Sequence, residues 1–456
     1  MARSTKRLGR ATPQLRVKHH RPSVIDLFSG AGGLSLGCEQ AGFDVLAAVE
    51  IDPIHAATHH FNFPYSTTIC ADIRKLSGHE ILKRAGFDRR RVVDLIVGGA
   101  PCQGFSMIGQ RAFDDPRNQL VKEFFRIVRE IKPRAFVFEN VKGLTQGKQR
   151  KFLDELIQEA RSIDYQIILP WQVLNAAEYG VPQNRERLIL IGVKKGISHQ
   201  ISYPQATTNH SSNGQVSFLS NTPTCFDALD DLPDVDQFPE LKNDDIYSGY
   251  LEPPHSEYAS QMRISDPGDW LFGHKRIWDP TLLTSSMQTQ HTDITKQQFR
   301  EGLGGSTHPI SRRYKLKKTG VSNTLRAGTD SARGAFSSPR PVHYELERVI
   351  SVREMARLHS FPDWFRLHRT KWHGARQIGN AVPPLLAYQI AKEVLIGLGY
   401  TPMRSRKRYA LGDSRFIKMT LQDACQYWDI DNPIGKRNMK SGAKKRKQSE
   451  IQEQGA

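Results

Sequence analysis

A cysteine, a glutamate and two arginines carry the reactive potential of this sequence. Cys102 stands in GGAPCQGFSMIG, between a proline and a glutamine, directly after the apolar run VVDLIV. A loop at the C-terminal end of an apolar strand is where open α/β sheets hold their chemistry, so Cys102 is a candidate nucleophile. Pro101 and the flanking glycines bend the backbone, while the polar Gln103 and Ser106 argue against a packed apolar surrounding. A lone cysteine is more often a buried structural thiol; to react, this one needs a helix N-terminus, nearby cations or a base. Glu139 closes the apolar run FVFENV and so lies at the same rim, placed to exchange a proton. Its plain alternative is a helix cap or an ion-pair partner. Arg185 and Arg187, in QNRERLILIG, are two residues apart, and on an extended chain both point to one face. Such a pair fits a phosphate or the carbonyl of a base, although isolated pairs are more often surface charges.

A second cluster points to a nucleoside. DLFSGAGG, residues 26–33, runs from a strand into a glycine-rich bend and then a helix, and Glu50 closes the next strand. An acid at that distance can accept hydrogen bonds from both ribose hydroxyls. Ser35 stands where a dinucleotide fingerprint has its third glycine, which favours a nucleoside cofactor without a pyrophosphate. A purely structural tight turn is the alternative. His55 and His59 lie one helical turn apart with His60 beside them, but no matching carboxylate or cysteine set accompanies them, so no metal is expected.

The elements that must position these residues follow from periodicity. SVIDLF, DVLAAVE, VVDLIV, RAFVFEN, QIILPWQVL and RLILIGV read as strands; between them lie helical stretches, one starting at Asp52 and Pro53 and one over Asn118 to Ile131. Apolar strands alternating with helices predict an α/β fold with a mostly parallel, doubly wound sheet covered on both faces. Residues 195–345 are rich in Ser, Thr, Asn, Pro and Gly, with basic stretches such as SRRYKLKK and RAGTDSARGAF, and read as a second, loop-rich domain containing strands. Helical periodicity returns in VREMARLHSF and in VPPLLAYQIAKEVLIGL, where Pro383 and Pro384 mark a helix start. The domains are therefore a flexible basic arm (1–22), a catalytic domain (23–194), the loop-rich domain (195–345), a return segment completing the catalytic domain (346–400) and an extension with a basic tail (401–456), partly ordered at best beyond Met403.

The totals agree with a large enzyme that meets a polyanion. The chain has 456 residues, is 38% hydrophobic and carries a formal net charge of +18, which favours nucleic acid through phosphate contacts and counterion release. Five scattered cysteines without a CxxC pair give no disulfide framework and fit a reducing cytoplasm; Cys38, Cys70, Cys225 and Cys425 are expected to be inert. No run of 18 apolar residues offers a membrane span, so a protein without membrane attachment is expected.

In order and spacing, DLFSGAGG, APCQGFS, FENV, QNRER and RQIGNAVPP resemble the motifs of the cytosine-5 DNA methyltransferases, of the bacterial modification type, over roughly residues 23–194 and 346–397. The resemblance implies a Rossmann-like methyltransferase sheet with S-adenosylmethionine held by Phe28, Gly30 and Gly33, by Glu50 on the ribose, by Asp72 and Ile73 beside the adenine, and by Pro101, Asn380 and Ala381. Many family members have serine where this chain has Ala381, which puts only a side-chain contact in doubt. It implies Cys102 as nucleophile toward carbon 6 of a flipped cytosine, Glu139 at the ring N3 and exocyclic amine, and Arg187 at the 2-carbonyl, with Arg185 in the same motif. Gln103 and Ser106 would begin a loop that closes over DNA, and residues 195–345 would be the target-recognition domain. The partners implied are double-stranded DNA and a cognate restriction endonuclease, for a monomer in the cytoplasm at the nucleoid. The rivals are a transfer-RNA cytosine-5 methyltransferase, which the long variable region disfavours, an inactive DNA-binding regulator, and a cysteine hydrolase, for which no histidine partner is identifiable.

Overall fold

The computed structural model describes residues 20–88, 91–101, 118–147, 149–210, 218–249, 252–309, 312–329 and 337–433. Cys102, Gln103, Ser106, residues 1–19 of the arm and the basic tail from 434 lie outside these. The first half alternates strand and helix: β1 (Ser23–Leu27), α1 (Gly33–Ala41), β2 (Asp44–Glu50), α2 (Pro53–Asn62), β3 (Thr67–Cys70), α3 (Gly78–Arg84), β4 (Leu95–Gly98), α4 (Gln119–Ile131), β5 (Ala135–Val141), α5 (Gln149–Ser162), β6 (Tyr165–Ile167), β7 (Gln172–Asn175) and β8 (Glu186–Lys194). Local chemistry sets several boundaries. The Asp52 side chain accepts from the amides of Ile54 and His55 with Pro53 as first helical residue, so α2 starts where the sequence predicts.

The strands form one sheet in the order β3-β2-β1-β4-β5-β8-β6, with β7 also paired to β8. β1 to β5 pair in parallel, and β8 runs against β5, β6 and β7, so it is the reversed strand of the sheet. Side chains alternate between the two faces. Val24, Val97 and Val137 join the core under α1 and α11 (Pro384–Gly397), whereas Ile25, Leu27, Ile96 and Phe136 join the core under α4 and α5. The chain runs outward from β1 through β2 and β3, then returns to place β4 on the other side of β1. That reversal between β1 and β4 is the switch point at which open α/β sheets have their crevice.

Residues 195–345 contain α6 (Cys225–Leu229), β9 (Tyr247–Ser248), α7 (Glu257–Met262), β10 (Lys275–Ile277), β11 (Leu282–Leu283) and α8 (Asp293–Glu301), joined by long loops. The return segment adds α9 (Val352–Arg357), α10 (Lys371–Asn380) and α11, and α11 lies so close on α1 that a Cβ on Gly37 would strike the Cβ of Ala387. Buried ion pairs join the parts: Arg276 of β10 to Glu39 of α1, and Arg357 of α9 to Asp231 and Asp363.

Both ends are tied more firmly than composition suggests. Beyond Met403 the chain forms β12 (Arg408–Ala410) and α12 (Leu421–Trp428), with Phe416 and Ile417 buried against Ala57 and Phe61 of α2. Over residues 403–433 a few aromatic side chains supply apolar contact that a count of basic residues hides. Arg21, assigned to the arm, pairs with Asp44 and donates to the carbonyls of Phe272, Met403, Glu39 and Phe43. Among the described residues no helix is long and apolar enough to cross a membrane.

Candidate active site

Two loops meet at the switch point. After β1 the chain turns through Phe28, Gly30 and Gly32, all with positive φ (59°, 55° and 109°). A Cβ on Gly30 would meet nothing within 4 Å, so this side of the turn is open, whereas one on Gly32 would meet the ring of Phe63 at 2.5 Å. Gly33 starts α1, and a Cβ there would strike the carbonyl of Val382 and approach the Cβ of Ala381 to 3.0 Å, so the return segment is pressed against the turn. Asn380 is exposed at the end of α10, and Ala381 caps that helix.

Glu50 closes this rim. Its carboxylate accepts from the Gly30 amide at 2.8 Å and from the Asp52 amide at 2.8 Å, and burial raises its pKa above the ordinary glutamate value. Cys70 pairs with Glu50 in the β2–β3 register, which brings Asp72 and Ile73 to the same edge. Asp72 caps a short 3-10 turn, and its hydrogen bond to Arg74 holds its carboxyl below the usual range; Ile73 is buried. Open space, a carboxylate fixed by backbone and an apolar neighbour fit a nucleoside.

Beneath the turn, Asp26 is fully buried. The Ser35 hydroxyl donates to it at 2.6 Å, its other oxygen has no partner, and burial pushes its pKa up to about 7. Ser35 also meets His59 Nε2 at 3.0 Å, while His59 Nδ1 meets the Thr68 hydroxyl at 3.2 Å; burial pushes His59 down to about 3, so this ring is a neutral core group. Among the described residues no group of three or more His, Cys, Asp or Glu side chains could hold a metal ion.

Across the crevice, β4 ends at Gly98. A Cβ on Gly99 would collide with the Glu139 carboxylate, so this acid lies directly over the strand end leading to Pro101, which is exposed. The Asn140 amide donates to the Ala100 carbonyl at 3.1 Å and so holds the chain just before Pro101. Glu139 lies opposite Ile189 and Val141 opposite Arg187, so Glu139 and Arg187 are diagonal neighbours on one face of the β5–β8 ladder. They form an ion pair, Nε to Oε1 2.8 Å, with each side chain 13% exposed. The acid is therefore paired with a guanidinium.

Arg185 departs from the expectation that both arginines face the rim. It precedes β8, so two-residue alternation does not govern it, and its buried guanidinium donates to the carbonyls of Leu325, Gly379 and Ala381 at 2.9–3.0 Å. It ties three segments together and does not point into the crevice. Gln183, quoted in the same motif but given no role, is fully buried; its amide nitrogen contacts Leu358 O and His359 Nδ1, and its carbonyl accepts from Leu325 N. Gly99, Asn140 and Gln183 are positions of this candidate site that sequence reasoning misses; the doubled glycine before APC and the unbroken motif around each candidate residue are the available signals.

Beside this tie a cleft of about 400 Å³ opens between residues 323–326 and 337–341, lined by Arg312, Arg313, Arg326 and Arg340, with no carboxylate among the described residues that line it.

The profile of the C-5 cytosine-specific DNA methylases matches residues 23–395, across the sheet, the cleft and the return segment. The chain belongs to that family. Type II methyltransferase M.XorII of Xanthomonas oryzae pv. oryzae is 49% identical over 417 residues, 91% of this chain and 94% of that protein. Type II methyltransferase M.AgeI of Thalassovita gelatinovora is 33% identical, covering 82% of this chain and 99% of that one. A crystal structure of a DNA modification methyltransferase encoded within an E. coli prophage superposes with TM-score 0.65 at 33% identity, covering 83% and 99% of the two chains. This protein is a DNA cytosine-5 methyltransferase with a Rossmann-like methyltransferase fold.

Proposed function

We propose that this methyltransferase modifies carbon 5 of a cytosine flipped out of one specific double-stranded DNA sequence, with S-adenosylmethionine bound at Phe28, Gly30, Gly33, Glu50, Asp72, Ile73, Pro101, Asn380 and Ala381. When bound there, S-adenosylmethionine supplies the methyl group. The observation that carries this reading is the Glu139–Arg187 pair, set against Gly99 two residues before Pro101 and on the same edge of the sheet as the Gly30–Glu50 rim.

Carbon 5 of cytosine is a weak nucleophile, so the ring must first gain electron density. Attack of the Cys102 thiolate on carbon 6 supplies it. Glu139 contacts N3 and the exocyclic amine, and Arg187 holds the 2-carbonyl while charge develops on the ring. Once carbon 5 carries the methyl group, loss of its remaining proton expels the Cys102 thiol from carbon 6 and restores the ring. The target base must leave the stack, at a cost of roughly a few kcal/mol offset by other DNA contacts. Gln103 and Ser106, outside the described residues, are assigned to DNA contact. Arg185 acts as a positioning residue for Arg187 and for the return segment.

The arginine-lined cleft supports DNA phosphate contacts by the recognition domain, residues 195–345. A cognate restriction endonuclease acting on the same sequence, a monomeric enzyme and a cytoplasmic, nucleoid-associated location complete the reading, supported by the Type II names of its relatives. The test is single-base methylation mapping in a methylation-free host. The wild type should modify cytosines in one recurrent context, and Cys102→Ala should modify none while still binding S-adenosylmethionine. Modification by Cys102→Ala refutes the assigned nucleophile; no DNA modification by a wild type that binds cofactor directs the search to RNA.

A further inference from the structure

The family's span ends at residue 395, yet the chain continues from the edge of the recognition region across to the cofactor rim. β12 pairs in parallel with β10, and Tyr409 stacks on Tyr65 with ring centroids 4.7 Å apart. The Gly412 amide donates to the Phe61 carbonyl at 2.8 Å, and Phe416 and Ile417 are buried against Ala57 and Phe61. The ring of His60 takes edge contacts from Phe416 at 4.8 Å and Trp428 at 5.8 Å. At the far end, the Trp428 indole N–H donates to the carbonyl of Pro53 at 3.2 Å.

Pro53 is the first residue of α2, and the amide of its cap, Asp52, donates to Glu50. Only Pro53 and Asp52 therefore separate the indole from the carboxylate. Helix ends open more readily than helix centres, so an external bond to the first carbonyl restricts the turn that fixes Glu50.

We propose that residues 403–430 form a strap that positions Glu50 for the ribose of S-adenosylmethionine, with Trp428 as its clasp. This rests on the cofactor assignment given under Proposed function. Trp428 is a positioning residue: it orders the acid before the cofactor arrives, and such preorganisation raises affinity without adding a contact to the ligand.

The test uses the full chain. S-adenosylmethionine affinity is measured by calorimetry, and methyl transfer is followed with cofactor and DNA varied separately. For Trp428→Ala, cofactor Kd and KM should rise about tenfold, the effect of losing one well-placed hydrogen bond with its packing. DNA affinity and the rate at saturating cofactor should hold. Trp428→Phe, which keeps the ring against His60 but lacks the N–H, should fall between. An unchanged cofactor Kd in Trp428→Ala, or equal loss of cofactor and DNA affinity, overturns the strap. If Trp428→Ala does not fold, Trp428→Phe decides, and wild-type cofactor affinity there overturns it as well. Glu50→Ala separates the two readings: wild-type cofactor binding by that variant refutes the cofactor assignment itself, whereas its loss beside unaffected Trp428 variants refutes the strap alone.

Discussion

The sheet-bearing half and the seam around α9, where the return segment meets the loop-rich region, bury different things. Strands β1, β4 and β5 present apolar side chains to helices on both faces, and α1 meets α11 without room for one extra carbon at Gly37. Around α9, by contrast, Arg348, Arg353 and Arg357 are buried, with carboxylates from Asp231, Asp234, Glu354 and Asp363 as partners. Glu354 is held down at about 2 by Arg348, despite complete burial. The sheet half is held by shape and the α9 seam by matched charge, so they should fail to different substitutions.

The largest effect is expected from Arg357→Ala, which removes the cation shared by Asp231 and Asp363 and leaves them only Arg263 and Arg353. Loss of one partner of a buried pair costs about 3–5 kcal/mol, measurable by chemical denaturation. A loss no greater than that of an exposed arginine would break the comparison. In the sheet half a single added methyl should suffice: Gly37→Ala drives a Cβ into Ala387 and the Tyr388 backbone. Overpacking of this kind costs about 1–3 kcal/mol, with the unfolding midpoint as readout.

Asp26 sharpens the comparison, as a buried acid in the shape-held half with no cation beside it. Its pKa rises from 3.8 to about 7 on folding, so the folded state holds this proton more tightly. The associated stability is complete below about pH 4 and is lost as pH rises to about 7. Asp26→Asn, which cannot ionise, should therefore gain on the wild type as pH rises through that window and keep a constant gain above it. A pH-independent difference in melting temperature would refute this. The smallest effect belongs to Lys142→Ala: its bond to Glu186 joins two half-exposed side chains, and no measurable change in melting temperature is expected.

Legibility in the sequence follows the same division. β1, α1, β2, α2, β5 and β8 were predictable because apolar periodicity and the Asp52–Pro53 start act locally. VVDLIV reads as strand throughout, but β4 begins only at Leu95: Val92 is 57% exposed, and the Asp94 carboxylate accepts from Ser23. QIILPWQVL divides into β6 and β7 around Pro170, which has no N–H to give the ladder. At the site, Glu139 and Arg187 follow from strand position, since adjacent strands bring their ends together. The direction of Arg185 does not, because its partners lie at Leu325, Gly379 and Ala381 and no local pattern encodes them. The order beyond Met403 escaped for a related reason: Phe416 and Trp428 find their partners on α2, more than 350 residues earlier in the chain.

The tie at Arg185 also governs when the enzyme can exist during its own synthesis. Residues 23–194 emerge from the ribosome first and hold the sheet, Glu139 and Arg187, but the carbonyls that complete the Arg185 site come from residues 325, 379 and 381. Until those residues are made, burying this guanidinium would strip away its water with no carbonyl in return, so early closure of the crevice is disfavoured. A chain that stops before residue 379 lacks two of the three carbonyls.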